Sequence, residues 1–148
     1  MTDTVEDTIR VTPVPPEYLD NVWRELLPFV RRAVATSDGA FTATSVYNDA
    51  MSGFHTIWIL VRNDVIVMML TTRIVQYPAK RGLAIDWVGG GDLKAVIETA
   101  LDSLMQYARR NSCHEIEGCG RKGWEKWLAP HGWKHQHVAY KLEIPDEV

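Results

Sequence analysis

The sequence predicts a mixed α/β fold, in which a mostly antiparallel twisted sheet is flanked by about four helices. Three apolar, strand-like runs follow one another between residues 55 and 88, which is typical of a β-meander. The most regular amphipathic helix of the chain comes directly after them. With 148 residues, of which 46% are hydrophobic and 24% are charged, the chain is long enough to form one hydrophobic core.

The N-terminal part of the sequence predicts one strand and two helices. Thr8 to Val14 favours a strand, and the prolines that follow it suit the start of a helix. Apolar residues at three- and four-residue spacing then predict a helix as far as Val34, which Pro28 is expected to kink or split. A second, short helix is predicted from Phe41 to Ser52, because Thr42 can cap its first turn.

The central strands are predicted at three runs of residues: His55 to Arg62, Val65 to Val75 and Leu83 to Val88. Asn63-Asp64, between the first two runs, is a hairpin turn signal. Three consecutive glycines at positions 89 to 91 predict a turn after the last run.

The C-terminal part of the sequence predicts a long helix, a strand, a short helix and a last strand. The long helix begins at Leu93, with Asp92 as its cap, and ends at Asn111. The other elements are predicted at His114 to Gly118, Arg121 to Leu128 and Lys134 to Ile144. The last of these runs alternates polar residues with four apolar ones, Val138, Tyr140, Leu142 and Ile144.

Charge and composition limit the class of protein. Sixteen Lys and Arg against nineteen Asp and Glu give a net charge of -3, which argues against general binding to nucleic acid or anionic membranes. No apolar stretch approaches the roughly 20 residues of a membrane helix. The acidic start and the low cysteine content predict an intracellular protein, with residues 1–7 as a flexible tail and residues 8–148 as one domain.

The order of these elements, with a glycine-rich turn before the long helix, resembles the GNAT superfamily of N-acetyltransferases over nearly the whole chain. Residues 120 to 133, which close with Gly132-Trp133, are similar to the late helix and the final Gly-aromatic pair of that superfamily. Together with Tyr77-Pro78 and Gly89-Gly90, this segment resembles a GNAT-like group found in tailed bacteriophages. The resemblance implies acetyl-CoA as acyl donor, a small-molecule or protein amine as acceptor, and the host cytoplasm or a phage particle as location.

The resemblance also implies where the pyrophosphate of CoA would bind. Backbone N–H groups at a helix N-terminus bind phosphate, and glycine lets the backbone approach it closely. The cofactor-binding residues implied in this way are Val88, Gly89, Gly90, Gly91 and Asp92. Typical members have Arg or Gln and a longer loop here, whereas Asp92 opposes the charge of a phosphate. The alternative is a tight turn followed by a capping residue.

Acyl transfer to an amine requires a base that takes a proton and an acid that protonates the leaving thiolate. The candidate bases, acting directly or through water, are three carboxylates on the strands that flank the expected cleft: Asp86, Glu115 and Glu117. The alternative is that each lies on a solvated strand face. The tyrosine that serves as the acid in the superfamily aligns with Leu128, and Tyr77 and Tyr140 are substitutes by residue type.

Two further groups of residues lie near the end of the chain. The late cysteines and histidines lack the paired spacing of a zinc site, so no metal site is predicted. A basic and aromatic set suits contact with a phage or host protein: Arg121, Lys122, Trp124, Lys126, Trp127 and Trp133. Packing of the short helix explains part of the same pattern. A second hypothesis therefore stands, a catalytically inactive GNAT-derived phage structural (virion) or accessory protein, and the oligomeric state is left open.

Overall fold

The structure of the protein, a computed structural model, describes residues 9–90, 93–119 and 125–146. Its elements are β1 (Ile9–Val14), α1 (Pro16–Val34), α2 (Ala43–Met51), β2 (Thr56–Arg62), β3 (Val65–Gln76), β4 (Arg81–Gly90), α3 (Leu93–Arg110), β5 (Glu115–Gly118) and α4 (Glu125–Leu128). The strands lie side by side in chain order, antiparallel from β1 to β4, with β5 parallel to β4. The predicted mixed α/β class with a mostly antiparallel sheet is confirmed.

Two local sequence signals set element boundaries as predicted. Asn63 and Asp64 adopt left-handed φ angles of 50° and 64°, which close the tight hairpin between β2 and β3. Thr42 caps α2, because its hydroxyl accepts the Ser45 N–H and the Ser45 hydroxyl accepts the Thr42 N–H, each at 3.2 Å.

Pro28 does not split α1, so of the two predicted effects, a kink or a split, the split is wrong. The helix runs from Pro16 to Val34 without a break. Leu26 and Val30, on either side of the proline, are fully buried against the sheet. This tertiary packing stabilises the helix despite the backbone hydrogen bond that proline cannot make.

Helices cover both faces of the sheet and create two apolar cores. α1 and α2 cover one face, and the core beneath them includes Leu26, Val46, Ile57 and Met69. α3 covers the opposite face, and its core includes Leu60, Leu70, Leu83 and Leu104. Since successive side chains of a strand point to opposite sides, neighbouring residues of one strand serve different cores. We call these surfaces the α1/α2 face and the α3 face.

β4 extends two residues beyond its predicted end, so Gly89 and Gly90 belong to a strand and not to a turn. A Cβ at Gly89 would lie 2.1 Å from the carbonyl oxygen of Phe29, because α1 crosses β4 at this point. Gly90 has a φ of 131°, and a Cβ there would lie 2.9 Å from the carbonyl oxygen of Val67. Packing of α1 and β3 against β4 therefore explains both glycines.

The predicted last strand, Lys134 to Ile144, is wrong, because residues 133–146 contain neither helix nor strand. An alternating pattern fixes which side chains share a face, but a strand also needs a neighbour for its ladder of hydrogen bonds. Within the described ranges, none of the five strands pairs with this part of the chain. We refer to residues 134–146 as the C-terminal segment.

Some predictions fall on residues outside the described ranges. These are the flexible tail at residues 1–7, the end of the glycine run at Gly91, the cap Asp92 and the first part of the short helix at residues 121–124. Among the helices that the structure does describe, none has the length and apolar character needed to cross a membrane.

Candidate functional site

All three candidate bases lie on the α1/α2 face. Leu83 and Ile85 of β4 pack into the core under α3, so Asp86 points to the opposite face. Ile116 of β5 belongs to the α3 core as well, which places Glu115 and Glu117 on the same face as Asp86. The parallel pairing of β4 with β5 therefore brings the three carboxylates to one surface of the sheet.

A bulge in β4 adjoins Asp86. The register of β4 against β3 shifts by one residue at Thr71, which faces both Asp86 and Trp87. The Trp87 N–H donates to the Thr71 hydroxyl at 3.1 Å. Trp87 packs beneath α1 and α2, with its ring 5.0 Å from that of Phe41. The bulge thus places two consecutive side chains of β4 on the α1/α2 face.

Asp86 is the centre of a charged cluster with His55 and Arg73. His55 Nε2 lies 2.5 Å from Asp86 Oδ2, and Arg73 donates to both carboxylate oxygens, at 2.9 and 3.3 Å. The hydrogen bond from His55, followed by those from Arg73, lowers the pKa of Asp86 to about 2 despite partial burial. The same carboxylate raises the pKa of Arg73. At neutral pH Asp86 is therefore an anion with both oxygens engaged.

His55 reaches this cluster from the connection between α2 and β2. Its side chain is only 4% exposed, and its backbone N–H donates to the Asp49 carbonyl at 3.1 Å. His55 Nδ1 lies 3.6 Å from Asp49 Oδ2 and has no hydrogen-bond partner among the described residues. Phe54 packs edge-on against the imidazole, and the Arg73 guanidinium lies 5.6 Å from the centre of the Phe54 ring.

Glu117 has a different environment, since its hydrogen-bond donor is a neutral phenol. The Tyr77 hydroxyl donates to Glu117 Oε1 at 2.5 Å. This hydrogen bond, assisted by burial, raises the pKa of Tyr77, so the phenol stays protonated at neutral pH. In the described part of the chain, Glu117 Oε2 has no hydrogen-bond donor. Gly82 lies beneath the pair, and a Cβ there would make ordinary contacts with Tyr77 at 3.6 Å and Glu117 at 3.8 Å.

Glu115 forms an ion pair with Lys80 at the rim of the same face. Lys80 Nζ lies 3.0 Å from a carboxylate oxygen of Glu115, and the two side chains are 47% and 32% exposed. Ion pairs this exposed to water contribute about 0–1 kcal/mol to stability. Of the three carboxylates, Asp86 and Glu115 thus have cationic partners, whereas Glu117 has a neutral one.

The implied cofactor residues divide into two groups. Val88 is half-buried toward the α3 core, and Gly89 and Gly90 pair with β3 in β4. Phe29, Val67 and Met68 fill the space where side chains at these two glycines would be, so close packing requires glycine at both positions, and their binding of phosphate stays a prediction. Gly91 and Asp92 lie outside the described residues, directly before the start of α3 at Leu93.

The predicted partner surface is described only in part. Lys126 of α4 is exposed and Trp133 is half-buried, and Trp127 lies within α4. Arg121, Lys122 and Trp124 fall outside the described ranges. Within those ranges there is no group of three or more His, Cys, Asp or Glu side chains arranged to hold a metal ion.

The sequence places Arg73 in a small basic set with Lys80 and Arg81 at a strand end, which suits a rim contact or a role in the site equally, whereas His55 is a member of the site that no sequence pattern indicated. Arg73 lies two residues beyond Thr71 on β3. The sequence did not indicate which side of the sheet its side chain occupies, and the pairing of β3 with β4 brings it to Asp86. His55 is 31 residues from Asp86 in the chain, so no local spacing connects them. The signal available was weak: a histidine and an arginine at the ends of otherwise apolar runs.

Comparisons with known proteins show the fold. No protein-family profile matches the chain, and no curated protein matches it in sequence. A predicted acetyltransferase from Clostridium acetobutylicum, solved with acetyl-CoA, superimposes with a TM-score of 0.65 at 14% identity over 92% of this chain and 96% of the other. An aminoglycoside N-acetyltransferase solved with CoA gives a TM-score of 0.68 at 10% identity over 96% and 99%.

A third neighbour, glucosamine-6-phosphate N-acetyltransferase from Arabidopsis thaliana, gives a TM-score of 0.62 at 11% identity over 93% of this chain and 99% of the other. At these identities the likeness shows a shared fold and not a shared substrate. The GNAT-like fold implied by the resemblance is therefore confirmed over nearly the whole chain.

Proposed function

We propose that this protein is an acetyl-CoA-dependent N-acetyltransferase for a primary amine, with Glu117 as the general base. The observation that carries the proposal is the fold, which the chain shares over more than nine tenths of its length with acetyltransferases solved with acetyl-CoA or CoA. The polar cluster on the α1/α2 face supports it, since carboxylates beside a parallel strand pair are suited to binding and deprotonating an amine.

The surroundings of the three carboxylates favour Glu117 as the base. Asp86, with a pKa of about 2 and both oxygens engaged, has little tendency to take a proton at neutral pH. Glu115 is paired with the ammonium group of Lys80. Glu117 accepts one hydrogen bond from the neutral Tyr77 hydroxyl, and its Oε2 is available to a proton donor.

In the proposed reaction, Glu117 takes a proton from the ammonium group of the acceptor, which frees the nitrogen lone pair for attack. The thioester of bound acetyl-CoA supplies the acetyl group, as a nitrogen–carbon bond forms and the carbon–sulfur bond breaks. Tyr77 donates its proton to the departing thiolate and recovers one from Glu117. The second proton of the nitrogen leaves to water, so each turnover releases one proton in total. The charge of Asp86 is balanced by the Arg73 guanidinium, so we assign Asp86 the positioning of His55 and Arg73 and not the binding of a cationic acceptor.

The experiment is a thiol-release assay with acetyl-CoA and a panel of primary amines that includes an aminoglycoside, glucosamine 6-phosphate and spermidine. We expect turnover with at least one amine. The Glu117→Gln variant should lose about 10²-fold or more in kcat, the usual contribution of a general base. Glu115→Gln is the matched control, because Glu115 lies two residues before Glu117 on the same face of β5. Its kcat should stay within about threefold of the wild-type value.

Two results would contradict the proposed base. Equal losses in Glu117→Gln and Glu115→Gln would indicate that only the overall charge of this face matters. Loss in Asp86→Asn alone, with Glu117→Gln active and all variants folded by circular dichroism, would move the base to Asp86.

The alternative proposal is a GNAT-derived protein that has lost the chemistry and serves as a phage virion or accessory factor through protein contacts. It is favoured by Leu128, which aligns with the tyrosine that acts as the acid in the superfamily. It is also favoured by Gly89 and Gly90, because α1 and β3 pack closely against them. Turnover of acetyl-CoA with any amine of the panel would contradict it.

A further inference from the structure

Arg73 is a cation of the site whose hydrogen-bond donors are only partly used. A guanidinium has five N–H groups in one plane. Asp86 accepts from Nε and Nη2 of Arg73, at 2.9 and 3.3 Å, and among the described residues the N–H groups of Nη1 have no acceptor. The side chain is 29% exposed, and Nη1 is not one of the buried polar atoms that lack a partner. A ligand on the α1/α2 face can therefore reach it.

Contacts on two sides hold this guanidinium in place. Asp86 binds one of its edges with two hydrogen bonds, and His55 in turn holds Asp86. The guanidinium carbon lies over the Phe54 ring, 5.6 Å from the ring centre. A donor that is already fixed loses little conformational freedom when a ligand binds, so Arg73 is suited to recognising an anion.

Arg73 and Glu117 lie in one row across three strands. Arg73 of β3 pairs with Ala84 of β4, and Ala84 pairs with Glu117 of β5, so their side chains share the α1/α2 face. Two strand spacings separate the backbones of Arg73 and Glu117 by about 10 Å. Ala84 is small and lies buried in the middle of the row, so no charged side chain of β4 stands between the cation and the carboxylate.

The two charges act on each other without forming an ion pair. The hydrogen bond to Asp86 raises the pKa of Arg73, and the charge of Glu117 adds to this effect at longer range. Each side chain has its short contact elsewhere, Arg73 with Asp86 and Glu117 with the Tyr77 hydroxyl. The row thus presents a positive and a negative group to one ligand.

We propose that the acceptor carries an anionic group beside its amine, and that Arg73 binds this group while Glu117 binds the amine. The inference rests on the proposed function, which makes this face the acceptor site. Because Asp86 occupies one edge of the guanidinium, Arg73 donates to a second anion without releasing it. A carboxylate and a phosphate share the required chemistry, since both accept parallel N–H donors through two oxygens.

Charge balance favours an acceptor of this kind over a simple cation. The charges of Arg73 and Asp86 balance each other, whereas Glu117 has only a neutral donor. A zwitterion places its ammonium group at Glu117 and its anion at Arg73, and adds no net charge to the face. A polyamine would use Glu117 alone and leave the fixed donors of Arg73 without a role.

The first experiment compares three short amines by calorimetric titration of the full chain, with and without desulfo-CoA. β-Alanine carries a carboxylate, phosphoethanolamine carries a phosphate, and ethanolamine carries a neutral hydroxyl. We expect at least one of the anionic amines to bind about tenfold or more tightly than ethanolamine, and the tighter one identifies the anion. Ethanolamine binding as tightly as both, or no binding of either anionic amine, would overturn the proposal.

Two variants assign the preference to Arg73. Arg73→Gln should remove it, whereas Lys80→Gln, which loses the same charge at the rim of the same face, should keep it within about threefold. Arg73→Lys retains a charge beside Asp86 for folding but lacks the planar fork, and should weaken binding of the anionic amine about tenfold. Equal effects of Arg73→Gln and Lys80→Gln, or wild-type affinity in a folded Arg73→Lys, would overturn the assignment.

Thiol release from acetyl-CoA separates this inference from the proposed function. Turnover of ethanolamine with a kcat/KM equal to that of the anionic amines would overturn the inference and support the proposed function. Binding of an anionic amine that depends on Arg73, without thiol release from any amine, would support the inference and contradict the proposed function.

Discussion

At the scale of the residue, three acidic side chains on neighbouring strands differ in their hydrogen-bond and ion-pair partners. Asp86, Glu115 and Glu117 share a face, as the alternation of β4 and β5 requires. Their partners come from other parts of the chain. His55 precedes β2, and Lys80 and Tyr77 lie in the connection between β3 and β4. The candidate residues were therefore predictable from strand patterning, whereas the ranking among them depends on long-range contacts.

The Asp86 cluster leads to a prediction about acid stability. The pKa of Asp86 is about 2 in the folded protein and 3.8 in its ordinary state, so the cluster stabilises the fold above about pH 4 and loses this contribution as the pH falls toward 2. Asp86→Asn should lower the free energy of unfolding by about 2 kcal/mol at pH 7. It should also flatten the decline between pH 5 and 2, measured by urea unfolding.

The matched control for this prediction is Asp64→Asn. Asp64 pairs with Arg10 at 3.1 Å, but its side chain is 92% exposed, and asparagine tolerates the left-handed φ of 64°. This variant should unfold within about 0.5 kcal/mol of the wild type at pH 7. Equal losses of unfolding free energy in the two variants would contradict the stabilising role of the Asp86 cluster.

At the scale of the element, the end of β4 could not be predicted from the sequence pattern. Its glycines predicted a turn, yet Gly89 and Gly90 continue the strand because α1 and β3 lie too close for any side chain. The outer boundaries of most elements were predictable to within a few residues from caps, turns and periodicity. The last strand was not, because its alternating pattern is that of a strand but no strand of the described residues pairs with it.

Gly89→Ala tests the account of β4. The added Cβ would lie 2.1 Å from the carbonyl oxygen of Phe29, so α1 must move away from the sheet. We expect the free energy of unfolding to fall by about 3 kcal/mol, at the upper end of overpacking effects. Gly82→Ala, in the same strand, is the control, because its nearest neighbours would be 3.6 Å away, and it should cost less than about 1 kcal/mol. Urea unfolding of both variants measures the difference, and similar losses would contradict the close approach of α1.

At the scale of the whole molecule, the fold and the proposed cofactor site rest on different observations. Helix and strand order alone predicted a mixed α/β class, and the resemblance carried by that order and the late motifs predicted the GNAT-like fold; solved acetyltransferases superimpose on more than nine tenths of the chain. Binding of acetyl-CoA was implied only by resemblance, and the glycines quoted for it serve the packing of β4. A short stretch, Gly91 and Asp92 with the first turn of α3, remains as the proposed anion-binding part.

The most direct test of the proposed function is a calorimetric titration of the full chain with acetyl-CoA and desulfo-CoA. The account predicts a Kd in the micromolar range, about 4 kcal/mol tighter than a millimolar nonspecific contact. It also predicts that Asp92→Asn, which removes an opposed charge and retains a residue type suited to the predicted cap, binds several-fold more tightly, whereas the exposed Asp102→Asn in α3 does not. No heat of binding for either ligand up to millimolar concentration would contradict the account and leave the fold without an acyl donor.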